Sequence, residues 1–199
     1  MSARTGLLIV ISGPSGVGKD AVVTDLLKRD SRLRYSVSYT TRPRRDYEVN
    51  GRHYYFVNEP QFIRLVERGE LLEHARYNGY LYGTSRARVE EAQREGIDII
   101  LKIDVQGAEQ VRRRRPDGIF IFIAPPSLEE LERRRTSRHS EPEDVMRERQ
   151  QTALKEMALA ERYDYVVVND DLERAVKEIQ SIIRKERARR IKKNGSEPD

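Results

Sequence analysis

Gly13, Gly16, Gly18 and Lys19 stand in the stretch GPSGVGKD, directly after the apolar run Leu7-Leu8-Ile9-Val10-Ile11. Glycines at this spacing let the backbone turn sharply and aim its N–H groups inward. Gly13, Pro14, Ser15, Gly16, Val17 and Gly18 are therefore a candidate phosphate-binding loop. A helix starting here turns its positive end to the same place, and Lys19 would reach the terminal phosphates of a nucleotide. The pattern G-x-x-x-x-G-K-[ST] usually ends in a hydroxyl; here Asp20 and then Ala21 follow the lysine. A carboxylate is a hard-oxygen ligand, so Asp20 is a candidate holder of Mg²⁺, although it adds negative charge beside the phosphates.

A second constellation lies farther along. Arg42 and Arg45 follow Thr40-Thr41 and are three residues apart. Two guanidinium forks so close together either grip one phosphate or form a surface arginine cluster, and Tyr54 and Tyr82 offer hydroxyls to the same group. Glu73 and Asp104 are acids with hydroxyl residues, Ser38 and Thr84, available to complement them. A carboxylate accepts from N1–H and N2–H of guanine at once, and a hydroxyl donates to O6. Such a set around one pocket would select guanine, because a wrong base leaves buried polar groups unpaired. Spacing alone does not bring the two acids together, and either one also suits a helix cap. His53, His74 and His139 are too scattered for a metal site and read as ordinary polar residues.

Elements must position these groups. Continuous apolar runs at Leu7–Ser12, Ile97–Asp104, Ile119–Ala124 and Tyr165–Asn169 read as strands of a sheet buried on both faces. Helical patterns lie between them: one from the loop through Leu26-Leu27, one over Arg86–Glu95, one after Gly107, and one from Leu172 through Ile183. Alternation of this kind implies an α/β fold with a doubly wound parallel sheet, whose ligands bind beyond the carboxyl ends of the strands. Gly13, Asp104 and Asn169 all follow strand ends. The pattern predicts a core of residues 1–34, 86–124 and 150–190, an inserted lobe at 35–85, a helical arginine-rich lid at 125–149 and a disordered tail at 191–199.

Composition bounds the rest. The chain has 199 residues, 36% of them charged, with 38 basic against 33 acidic and a net charge of +5. Both signs are well mixed, so the basic runs at Arg112–Arg115 and Arg184–Lys193 read as solvated helix faces and tail, not as a nucleic-acid surface. No apolar run approaches the roughly 20 residues of a membrane span, and Met1–Gly6 is too short and polar for a signal peptide. The lack of cysteine excludes disulfides and fits a reducing cytoplasm.

Taken with TTRPRRDYEVNGRHYYFV (Thr40–Val57), the stretches GPSGVGK, EHARYNGYLYGT, IDVQGA, FIAPPS and VVVND make the chain resemble the guanylate kinase family from about Gly6 to Lys185, motif by motif and in order. The resemblance implies a P-loop kinase core and transfer of the γ-phosphoryl of ATP, with Mg²⁺, to GMP and dGMP. It implies guanine reading at Ser38, Glu73, Thr84 and Asp104, and phosphate holding at Arg42, Arg45, Tyr54 and Tyr82. Lys19 matches the loop lysine, Arg134, Arg138 and Arg149 match lid arginines, and Asn169 matches a position beside adenine. ATP and GMP are thus the expected partners, with no membrane or nucleic acid, in a monomer or homodimer. Two positions depart from the family pattern: Asp20-Ala21 after the lysine, and Lys102 where an acid is frequent. The Asp20 departure is reminiscent of ribose 1,5-bisphosphate kinases, one rival reading; a non-catalytic guanylate-kinase-like binding module is the other.

Overall fold

A run such as Leu8-Ile9-Val10-Ile11 leaves no polar face for solvent, and it forms β1 (Leu8–Ser12), buried throughout. The computed structural model describes residues 5–77, 79–136 and 143–194. The chain falls into two compact units, one of residues 1–12 and 31–120, the other of residues 13–30 and 121–199.

In the first unit β7 (Asp98–Lys102) lies between β1 and β2 (Leu33–Tyr35) and runs parallel to both, with Leu8 opposite Ile99 and Leu33 opposite Asp98. Asp98 is fully buried, and its carboxylate accepts from the Leu7 N–H at 2.7 Å, which anchors the entry to β1. Two helices, α3 (Arg86–Arg94) and α4 (Val105–Arg114), are capped by Ser85 and Asp104. The same unit carries a smaller sheet in the order β4 (Tyr55–Phe56), β3 (Tyr39–Thr40), β6 (Tyr80–Ser85), β5 (Leu71–Tyr77). Helix α2 (Glu59–Glu67) begins in a capping box, in which Asn58 and Gln61 exchange side chain-to-backbone bonds of 2.8 and 2.9 Å. The expected inserted lobe, residues 35–85, holds all of this smaller sheet.

Strand β8 (Ile119–Ala124) begins at the end of the first unit and enters the second, where it pairs in parallel with β9 (Tyr165–Val168). The second unit also holds α1 (Lys19–Arg29), α5 (Leu128–Thr136), α6 (Glu143–Ala158) and α7 (Leu172–Asn194). α7 turns Ala175, Val176, Ile179, Ile182 and Ile183 inward. Two ion pairs fasten the C-terminal end of α1 to α7: Arg29 with Glu173, and Asp30 with Arg187 at 2.5 Å. Among the described residues no helix is long and apolar enough to cross a membrane.

Four expectations shift. The strand expected over Ile97–Asp104 spans only Asp98–Lys102. α4 starts at Val105, ahead of Gly107, because the Asp104 carboxylate accepts from the Gly107 N–H at 2.7 Å and caps the first turn. α6 runs unbroken through residue 150, so a lid ending at 149 would end inside a helix. α7 continues to Asn194, so residues 191–194, expected in the disordered tail, are helical. No breaker precedes Gly195, and cations in the last turns suit the negative helix end.

The side chains of Arg187 and Asp30 are only 6% and 18% exposed. Arg187→Ala would remove a largely buried ion-pair partner of Asp30 and should cost about 2 kcal/mol of stability, read as a lower midpoint in urea unfolding.

Candidate active site

The glycine-rich loop is built as the spacing predicts. Gly13, Gly16 and Gly18 have φ of 139°, 85° and 95°. At Gly13 the requirement is twofold, since a Cβ there would also stand 2.2 Å from the Ile123 carbonyl oxygen. The loop delivers the chain into α1 through the left-handed Gly18, and the N-terminal turn of α1 carries Lys19 and the exposed Asp20. Lys19 Nζ donates to the carbonyls of Gly13 at 2.6 Å and Pro14 at 2.9 Å, so its ammonium lies over the loop. Asn169, just after β9, donates from Nδ2 to the Val17 carbonyl at 2.8 Å and packs against Gly18. Arg134 on α5 donates to the Asn169 carbonyl at 2.9 Å and is held by Glu130 at 2.8 Å. Loop, Lys19, Asn169 and Arg134 therefore belong to one connected assembly. Arg138 and the side chain of Arg149 lie outside the described residues.

The first unit brings the two acids together. Glu73 on β5 is 4% exposed, and it sits opposite Thr84 in the β5–β6 register. The Thr84 hydroxyl donates to Glu73 Oε1 at 2.6 Å. A Cβ added at Gly107 would stand 2.7 Å from Glu73 Oε2 and 3.4 Å from Asp104 Oδ1. A Cβ at this point would crowd the Glu73 carboxylate where α4 approaches β5. Burial, opposed by the Thr84 hydroxyl and reinforced by the nearby Asp104 charge, pushes the Glu73 carboxyl up to about 7. Ser38 is buried just ahead of β3, with its carbonyl accepting from Tyr55 N–H at 2.9 Å. Among the described residues no contact joins its hydroxyl to Glu73.

The arginine cluster is organised by an acid that the residue pattern did not single out. Glu48, 5% exposed, accepts from Arg42 Nη2 at 2.6 Å and from the Arg45 backbone N–H at 2.8 Å. The Arg42 guanidinium holds the Glu48 carboxyl below the usual carboxylate range. Arg42 also bonds Tyr82 and lies over the rings of Tyr54 and Phe56, 5.6 and 5.8 Å from their centroids. Tyr54 meets Tyr82 edge to face at 5.9 Å. Arg42, Tyr54 and Tyr82 thus form one cationic, hydroxyl-bearing cluster, whereas the exposed Arg45 side chain turns to the Tyr47 hydroxyl at 2.8 Å.

Known proteins share this sequence and this fold. A sequence model of the guanylate kinase family matches residues 5–186. The chain belongs to the guanylate kinase family. It is 46% identical to the guanylate kinase of Desulfitobacterium hafniense, across 95% of this chain and 94% of that protein. It is 48% identical to the guanylate kinase of Halalkalibacterium halodurans, across 96% and 93%. The crystal structure of guanylate kinase from Anaplasma phagocytophilum superposes with a TM-score of 0.76 at 37% identity, covering 92% of this chain and 87% of that one. The chain is accordingly a nucleotide-binding kinase with the α/β P-loop kinase fold.

Glu48, Glu130 and Gln110 are the contributors that motif reading missed. Glu48 had a local signal, an acid three residues after Arg45 in a turn-rich stretch, and Glu130 is one helical turn before Arg134. Gln110 shares a helix face with Gly107 and Arg114. For the metal, the donor set is the test. Among the described residues no group of three or more acids and histidines forms a cage. Asp20 is a single exposed carboxylate beside Lys19, and Mg²⁺ in nucleotide sites is ordinarily held by one or two carboxylates with phosphate oxygens and water. The residues present fit an ion that arrives with a nucleotide.

Glu73 carries a pH signature. Its carboxyl keeps its proton up to about 7 in the fold and gives it up near 4.5 when unfolded. Between those values the native state binds the extra proton, so stability falls as pH rises through this window, by about 3 kcal/mol in all, and levels off above it. Thermal midpoints measured from pH 4.5 to 8 should show this decline, and Glu73→Gln should flatten it.

Proposed function

We propose that the chain transfers the γ-phosphoryl group of ATP to GMP, and to dGMP, giving ADP and the nucleoside diphosphate, as a step of purine nucleotide metabolism in the cytoplasm. The observation that carries this reading is the convergence of Glu73, Thr84 and Asp104 around Gly107. Two carboxylates close together are costly unless a ligand supplies donors to both, and the Watson–Crick edge of guanine offers N1–H and the N2 amine side by side. Adenine offers no such pair.

In this reading residues 35–85 bind the acceptor. Glu73 and Asp104 accept from the base, Thr84 and Ser38 supply hydroxyls, and Arg42, Arg45, Tyr54 and Tyr82 hold the GMP phosphate. The loop Gly13–Gly18 cradles the ATP phosphates with its N–H groups, Lys19 moves from the loop carbonyls onto the terminal phosphates, and Asn169 borders the adenine. Arg134, Arg138 and Arg149 close over the migrating group.

The chemistry asks for position and charge, with no covalent nucleophile from the protein. An oxygen of the GMP phosphate attacks the γ-phosphorus as the bond to the ADP oxygen breaks. Arg42 neutralises the acceptor so that two anions can approach. Asp20 would hold the Mg²⁺ that accompanies ATP, whose chemistry is to neutralise charge on the phosphate oxygens.

A coupled assay with ATP, Mg²⁺ and a panel of GMP, dGMP, AMP, UMP and ribose 1,5-bisphosphate tests the assignment. Only the guanine nucleotides should turn over; transfer to AMP or to the sugar at a comparable rate overturns it. A second expectation concerns the metal. Asp20→Ala should raise the Mg²⁺ concentration for half-maximal rate about tenfold, and an unaltered titration removes Asp20 from that role.

A further inference from the structure

β5 is the last strand of its sheet, with β6 on one side only. Its outer edge is not left to solvent. Gln110 of α4 donates from Nε2 to the His74 carbonyl at 2.7 Å and accepts from the His74 N–H at Oε1 at 3.2 Å. A side-chain amide bonded in this way replaces the peptide group of a missing neighbouring strand. One turn farther on, Arg114 Nη1 donates to the carbonyls of Leu71 at 3.1 Å and Leu72 at 2.5 Å. These bonds bracket Glu73, which lies between Leu72 and His74.

The same helix carries Asp104 as its cap and Gly107 at its closest approach to Glu73. The offset between α4 and β5 therefore fixes the gap between the two carboxylates. Of the bonds that set this offset, the contact of Gln110 with His74 is the one that both donates to and accepts from a single strand residue next to Glu73. Contact at Gly107 prevents the helix from moving closer, but it cannot prevent sliding along the strand or lifting away. A directional two-bond contact can.

We propose that Gln110 is a positioning residue for base selection: it locks α4 to the edge of β5 and so holds Glu73 and Asp104 at the spacing that guanine requires. The proposal rests on the reading of those acids as the guanine-facing pair. Gln110 itself touches neither the base nor a phosphate. Its loss should weaken recognition of the acceptor, leave the donor side alone, and act most on the part of the base that needs both acids, the N2 amine.

IMP is the probe, because hypoxanthine keeps N1–H and O6 and lacks that amine. Gln110→Met keeps length and helix preference while removing both polar arms. It should raise KM for GMP about tenfold, leave KM for ATP within twofold and kcat at saturating GMP nearly unchanged, and lower the GMP-to-IMP ratio of kcat/KM about tenfold. A lower melting temperature with an unchanged ratio would mean that Gln110 only stabilises the fold, and the proposal falls. If Gln110→Met does not fold, Gln110→Ala gives the same readout with the same two outcomes. Glu73→Gln is measured alongside. Should it leave the GMP-to-IMP ratio intact, the guanine-site reading itself fails; should it lower the ratio while the Gln110 variants do not, only the positioning role is lost.

Discussion

A carboxylate shut away from water beside a second carboxylate is an unfavourable arrangement, and the first unit of this protein is assembled around one. Glu73 is buried, bonded by Thr84 and exposed to the charge of Asp104. Burial and like charge both oppose its ionised form. Holding it there requires every neighbour to be in place. β6 brings Thr84 opposite Glu73, Gly107 leaves room for α4, Asp104 closes the helix end, and Gln110 and Arg114 fasten that helix to the strand edge. The stored cost would serve the base-reading role proposed for these residues. A ligand that brings donors to both acids relieves it, and one without them leaves it in full.

The cations follow a complementary rule. Each is already oriented by groups of its own unit: Lys19 by the carbonyls of Gly13 and Pro14, Arg134 by Glu130 and the Asn169 carbonyl, and Arg42 by Glu48 and Tyr82. Long basic side chains lose considerable rotamer freedom when they grip a phosphate, and holding them beforehand reduces that loss. Charge aimed in advance is also the form of stabilisation that phosphoryl transfer uses most. In the proposed reading, the acids in these pairs matter for that reason.

Much of this was legible in the residues. The phosphate loop is a short-range object: glycine conformation, the strand before it and the helix after it lie within a few residues of one another. β8 begins and ends where its apolar run does, and α3 and β9 deviate from their patterns by a single residue. Boundaries went astray where a side chain, not periodicity, set the end. Asp104 draws the start of α4 ahead of Gly107, and the basic end of α7 carries the helix to Asn194. The pairing of Arg42 with Glu48 had a local trace in the turn, but an acid after two arginines reads equally well as solvated charge.

By itself, then, the sequence determined the loop, the alternation of strands and helices, the family motifs and the inventory of acids, arginines and tyrosines. These depend on backbone sterics and on periodicity along a few residues. Tertiary structure alone decided that Glu73 and Asp104 face one gap, that Gly107 is a packing glycine inside a helix, and that Gln110 stands in for a missing strand. Those facts depend on how a helix settles against the edge of a sheet whose strands come from distant parts of the chain. No local rule fixes that distance; it is set by the packing of the whole unit.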